Sequence, residues 1–209
     1  MAFIKKQTSQ VINEDERKIP RDFDGLCLEL NHEDSKVRRW AVRDLAQLPN
    51  ASSILVTRLE HEENASVRTA ILNALAKLGD TIAMNGLVKC LRSEDAALRN
   101  EAIEILKELP YEVAPIIEGL LIDADSDVRI FAVNILESLR HQHVEQWLIQ
   151  VIEKDPHVNV CSTALDLLSE VGTELAVPAI KQLKARFPDE PYICFSAELA
   201  LQRIEDGSR

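Results

Sequence analysis

Asn64-Ala65-Ser66-Val67-Arg68-Thr69-Ala70-Ile71-Leu72-Asn73-Ala74-Leu75-Ala76-Lys77-Leu78-Gly79-Asp80 is the stretch on which the fold turns. Its apolar residues Val67, Ile71, Leu75 and Leu78 fall at offsets 0, 4, 8 and 11, which is one stripe along an α-helix. Gly79 falls where that helix would end. The pattern returns as Asp34 to Arg38 with Ala41, Leu45 and Leu48, as Asp95 to Arg99 with Ala102, Leu106 and Leu109, and as Asp125 to Arg129 with Ala132, Leu136 and Leu139. Two looser copies follow, Val160-Cys161 with Ala164, Leu168 and Val171, then Ile193-Cys194 with Ala197, Leu201 and Ile204. The valine-equivalent positions 37, 67, 98, 128, 160 and 193 lie 30, 31, 30, 32 and 33 residues apart, the mark of a repeat array.

Each copy supplies the second helix of a unit. A shorter apolar segment precedes it, at Ile54 to Leu59, Ala83 to Leu91, Val113 to Leu121, Val144 to Ile152 and Ala176 to Leu183, and these segments predict the first helices. Gly79-Asp80, Pro110, Gly172 and Pro188 punctuate the pattern, and Asp34, Asp95 and Asp125 are placed to cap the helices that follow them. No β-type alternation competes. A helical hairpin of this size cannot bury its own stripe, so neighbours must stack and share a core, which predicts an all-α solenoid. Residues 21–207 are expected to form the array, in units of about 22–48, 51–79, 81–109, 112–140, 143–172 and 174–205. Residues 1–20 are polar and mixed in charge, end at Pro20, and read as a mobile N-terminal tail.

The chain has 209 residues, 46% of them hydrophobic, with 24 Lys and Arg against 35 Asp and Glu, a net charge of −11. Residues 1–50 are balanced at 9 basic and 9 acidic, so the whole excess lies in residues 51–209, with 15 basic and 26 acidic. That balance opposes nucleic acid, whose backbone is held largely by Lys and Arg. No run approaches the roughly 18 apolar residues of a membrane span, and the apolar start is too short for a secretory signal. A cytoplasmic protein with no membrane partner is expected. Cys27, Cys90, Cys161 and Cys194 form no CxxC pair and read as reduced thiols. No G-x-S-x-G, Walker-type or G-x-G-x-x-G segment is present, and 6 glycines leave little for a phosphate cradle. No cofactor, metal or catalytic residue is assigned; His141 and His143 read as solvated loop residues.

Gly172-Thr173-Glu174-Leu175-Ala176-Val177-Pro178-Ala179-Ile180, with Asp155-Pro156 leading into Val160 and Gly79-Asp80 after the second unit, resembles the HEAT repeat, and specifically the short HEAT-like repeat of the phycobilisome lyase class. The resemblance covers about residues 22–205 and implies a right-handed α-solenoid of about six HEAT-like helical hairpins. It also implies an Asp-Arg ladder between units, for which Arg38, Arg68, Arg99 and Arg129 and the acidic residues Asp34, Glu62, Asp95, Asp123 and Asp125 are placed. His32-Glu33 and His61-Glu62 resemble the iron-binding dipeptides of the HEAT-like deoxyhypusine hydroxylases, but both precede the Val-Arg step and four such dipeptides are needed. HEAT-like DNA glycosylases need a basic groove, which the acidic lining beyond residue 100 opposes.

In a HEAT-like array the second helices line the concave face, and offsets 2, 3 and 6 from the valine should project there. These give Arg39, Trp40, Arg43, Asn73, Asn100, Glu104, Ile130, Phe131, Asn134, Asp166 and Phe195 as the candidate partner-binding surface, basic at one end and acidic at the other. Trp40 and Phe131 serve equally as core filling or as contact hot spots. With no catalytic motif in the sequence, the chain is expected to be a non-catalytic scaffold or adaptor holding a partner protein along that face. The alternative is a bilin lyase-like enzyme or enzyme subunit, since the family resemblance implies attachment or removal of a chromophore on a protein cysteine. Homodimerisation through the last repeat is a further possibility, because Tyr192, Cys194 and Phe195 leave surface to be covered.

Overall fold

The structure is a computed structural model and describes residues 21–207. The tail expected over residues 1–20 lies outside the described residues. Every regular element among those described is helical. The order is α1 (Phe23–Glu29), α2 (Ser35–Leu45), α3 (Ser52–Leu59), α4 (Ala65–Leu78), α5 (Thr81–Cys90), α6 (Ala96–Lys107), α7 (Pro110–Val113), α8 (Ile117–Leu121), α9 (Ser126–Leu136), α10 (Val144–Lys154), α11 (Val158–Val171), a 3-10 turn at Glu174–Ala176, α12 (Val177–Arg186) and α13 (Pro191–Gly207). None of these helices is long and apolar enough to cross a membrane.

Local chemistry sets the ends of the helices. Asp34, Asn64, Asp95 and Asp125 cap α2, α4, α6 and α9, each side chain accepting from a backbone N–H two or three residues on, at 2.8–3.3 Å. Gly79 closes α4 in the left-handed conformation, φ 60°, where a Cβ would be strained. One expectation fails in detail. The apolar run Val113 to Leu121 is not one helix, because Pro115 lacks an N–H and breaks the ladder between α7 and α8, leaving Ile116 to bond back to Val113 at 2.9 Å.

The hairpins stack through their second helices, α2 on α4, α4 on α6, α6 on α9, α9 on α11 and α11 on α13, in one continuous row. The first helices meet closely at α3 with α5 and at α10 with α12. A stack whose rows approach unequally bends toward the tighter one, which makes the second-helix row the inner face of a solenoid. The apolar stripe is its core. Ala41, Leu45, Val67, Ile71, Leu75, Ala102, Leu106, Val128, Ala132, Leu136, Val160, Ala164, Leu168, Ile193 and Ala197 are buried, in one cluster running from Leu26 to Ile204. Val171 departs from its stripe and is exposed at the last turn of α11. Close approach is set elsewhere by Gly86, where a Cβ would stand 2.5 Å from Val56 Cγ2, so α5 can seat against α3 only without a side chain.

Candidate functional site: the inner groove between α2 and α4

The second residue of each Val-Arg step lies just off the stripe and reaches the next hairpin. Arg38 on α2 donates through Nε and Nη2 to Glu62 at 2.8 and 2.7 Å, and its Nη1 reaches the carbonyls of His32 and Glu33. Arg58 joins the same carboxylate at 2.7 Å. Burial by itself would raise the Glu62 pKa, but the bonds from Arg38, the Asn64 amide and Arg58 outweigh it and hold the group down at about 2. Arg68 pairs with Asp95 at 2.7 Å, and Arg129 pairs with buried Asp155 at 2.6 and 3.1 Å. Arg99 breaks the series: it bonds the Ser93 carbonyl and lies 6.0 Å over the Phe131 ring, while Asp123 pairs with Arg92. Arg38, Arg68 and Arg129 are fasteners between units, committed to structure. Glu62 is consumed by the ladder, and His32 accepts from the Asp34 amide, so the two His-Glu dipeptides serve local structure. Among the described residues no group of three or more His, Cys, Asp or Glu is placed to hold a metal ion.

About 100° further around α2 the cations have no such partners among the described residues. A groove of about 720 Å³ runs between α2 and α4, with Arg39, Arg43 and Gln47 on one wall and Ser66, Thr69, Asn73 and Lys77 on the other. These positions are the i, i+3 and i+4 rows of two helices packed side by side. Arg43 lies 5.1 Å over the ring of Trp40, which is 45% exposed. The Nε of Arg39 is buried and makes no hydrogen bond among the described residues. Neither Arg39 nor Lys77 pairs with a carboxylate there. In a chain of net charge −11 this is a local concentration of positive charge, and no carboxylate lines the groove among the described residues.

The other candidate residues disperse along the face. Asn73 stands in the same groove as Arg39 and Arg43. Asn134 and Asp166 line a second, smaller groove between α9 and α11 with Glu137, Thr163 and Glu170, and Asp166 also accepts from the Tyr192 hydroxyl at 2.7 Å. Asn100 and Glu104 are exposed on α6, Glu104 within 3.5 Å of Lys107, and neither is among the residues lining these two grooves. Ile130 and Phe131 are both half-buried against the core, because their offsets fall on the flank of the α9 stripe. Phe195 is 66% exposed on α13. His141 is corrected. It is half-buried and stacked on Trp147, ring centroids 4.9 Å apart, while Trp147 packs inside and donates to Glu118 at 2.9 Å. Lys77 was not foreseen; at offset 10 it lies beyond the reach of a rule that stops at offset 6, although its spacing of 4 from Asn73 marks the same helix row.

Residues 23–107 and 113–202 match the family of HEAT repeats. The chain is 31% identical over 178 residues to the bilin biosynthesis protein PecE of Mastigocladus laminosus, covering 83% of this chain and 64% of that protein. It is 28% identical over 179 residues to the bilin biosynthesis protein PecE of Nostoc sp., covering 80% and 69%. The chain thus spans about two thirds of the length of these relatives. A solved structure described as the structural basis of microtubule plus-end tracking by XMAP215, CLIP-170 and EB1 superposes with a TM-score of 0.55 over 90% of this chain and 91% of that one, at 12% identity, and supports the solenoid fold. The expected non-catalytic scaffold or adaptor is corrected by the two sequence relatives, both bilin biosynthesis proteins, which favour the lyase-like alternative. By its repeats, its all-helical solenoid and these matches, the chain belongs to the HEAT repeat family.

Proposed function

We propose that this chain is an enzyme subunit of the bilin lyase type, which binds an open-chain tetrapyrrole and takes part in its attachment to, or removal from, a cysteine of another protein. The observation that carries the reading is the 31% identity to a bilin biosynthesis protein over 178 residues, a span that includes most of the hairpins. The thiols of the chain itself agree with a role in which the acceptor cysteine belongs to the partner. Burial pushes Cys90 up to about 11 and also raises Cys161, so neither is a ready nucleophile. All four cysteines are free, which suits a compartment where thiols stay reduced. The protein partner would lie along the inner face, and the exposed Tyr192, Phe195 and Leu199 of α13 offer the last hairpin as a contact, either for that partner or for a second copy of this chain.

The test mixes the purified chain with a free bilin, then adds an apo-phycobiliprotein subunit carrying its acceptor cysteine. A shifted and sharpened bilin absorption band on the first addition, and covalent bilin fluorescence surviving denaturation on the second above the uncatalysed level, supports the proposal. An unchanged spectrum with no gain in adduct refutes it.

A further inference from the structure

We propose that the groove between α2 and α4 is the anion subsite of the bilin, in which Arg39, Arg43 and Lys77 receive the two propionate carboxylates. This rests on the bilin reading of the preceding subsection and assigns its residues. An open-chain tetrapyrrole is a flat conjugated ligand whose two carboxylates hang from its adjacent central rings. It needs two cations a few ångströms apart beside a surface on which a π-face can lie. Arg39 and Arg43 are one helical turn apart on α2, a rise of about 6 Å, and point into the same groove. Lys77 adds charge from the opposite wall, and Asn73 supplies an amide beside it.

The charges are available. Arg38, Arg68, Arg129, Lys89 and Lys184 are each bound to a carboxylate, whereas Arg39 and Lys77 are paired with none among the described residues. The unsatisfied Nε of Arg39 is a buried donor, and such a group is costly unless something accepts from it. Guanidinium forks match carboxylates in a planar, bidentate geometry. The groove volume of about 720 Å³ is that of a small-molecule cleft. Ala46, Ala70 and Ala74 also line the groove and offer an apolar surface to the conjugated system. Further along the inner face Glu104, Glu137, Asp166 and Glu170 would repel a dianion, so the ligand is steered toward the α2 end.

The experiment titrates the full chain with biliverdin and with biliverdin dimethyl ester, following bilin absorption, for the wild type, for Arg39→Gln/Arg43→Gln/Lys77→Gln, and for Lys181→Gln, an exposed α12 control. Helicity and melting temperature are compared first. The expected result is that biliverdin binds the triple variant at least about tenfold more weakly than the wild type, that the ester binds the wild type correspondingly weakly, and that the ester does not distinguish the two proteins. The control should match the wild type. Equal affinity of wild type and triple variant for biliverdin, or equal affinity of the wild type for acid and ester, overturns the subsite while leaving the bilin function standing. A wild type that binds neither compound overturns the function itself and the subsite with it. The ester arm uses unaltered protein, so the subsite stays testable even if the triple variant misfolds.

Discussion

Acid should unfasten the array at Glu62. This carboxylate is 5% exposed and accepts from Arg38, Arg58 and the Asn64 amide, so it ties α2, the end of α3 and the start of α4 into one joint. Its pKa is held at about 2 against an ordinary 4.5. That gap, at about 1.4 kcal/mol per pH unit, is worth about 3 kcal/mol of folding stability. Because the folded value lies below the unfolded one, the unfolded chain takes up the proton first. The contribution is therefore complete above about pH 5 and fades as the pH falls toward 2, with under half left at pH 3. Urea unfolding of the wild type and Glu62→Gln, followed by circular dichroism at pH 7, 5, 4 and 3, measures it directly. The variant should be less stable by about 3 kcal/mol at pH 7, since it leaves two guanidinium groups without their charge partner. The difference between the proteins should narrow by about 2 kcal/mol between pH 7 and pH 3. Asp80 and Asp95, whose pKa values are also lowered by their bonds to Ser52 and Arg68, titrate in both proteins and cancel. A gap of the same size at pH 3 as at pH 7 would refute the assignment of this joint.

Gly86→Ala should cost about 1–3 kcal/mol in urea unfolding, because the new Cβ collides with Val56 and forces α3 and α5 apart; an unchanged midpoint would show that the two helices yield freely. Arg129→Met should lower the melting temperature markedly more than Arg99→Met, since Arg129 leaves buried Asp155 unpaired whereas Arg99 has no carboxylate partner among the described residues; equal losses would remove the ladder as a source of stability. If two copies meet through the last hairpin, sedimentation will give a dimer for the wild type and a monomer for Tyr192→Ser/Phe195→Ser, and a wild type that stays monomeric at high concentration excludes that pairing.

The array was legible from sequence because a repeat writes its core several times over. Val67, Ile71 and Leu75 in one copy, and Val128, Ala132 and Leu136 in another, name the same buried stripe, and the copies vote for a single answer. Punctuation is less secure when it occurs once. Pro115 splits one first helix in two, but its effect is masked in the sequence by the apolar run on either side. Gly86 gives no sequence signal at all, since its purpose is the approach of a residue 30 positions earlier, Val56. The site was harder for the same reason. Offsets from one helix place Arg39, Arg43 and Asn73 on the inner face, yet a groove has two walls, and its width and its neutral or charged lining depend on how neighbouring helices are set against each other. Ile130 shares its offset with Asn100, yet Ile130 is half-buried on α9 and Asn100 exposed on α6, so an offset alone does not decide exposure.

The contrast between adjacent arginines on α2 joins stability to function. Arg38 and Arg39 are neighbours, about 100° apart around the helix, and that rotation decides their fates. Arg38 faces the next hairpin's loop and finds Glu62, a carboxylate whose removal from water is compensated by five hydrogen bonds. Arg39 faces the inner groove, where the opposite wall is built from Ser66, Thr69 and Asn73, neutral side chains that can accept or donate but cannot cancel a charge. One helix further along, the corresponding wall carries Glu101 and Glu104. Had α4 carried carboxylates at those places, Arg39 and Arg43 would be fasteners like Arg38, and the groove would be closed to anions. The neutral wall forgoes that stabilisation, which is the pattern expected where local stability is given up for a ligand. The same repeat that commits its first arginine to holding units together thereby leaves its next two without a carboxylate partner among the described residues.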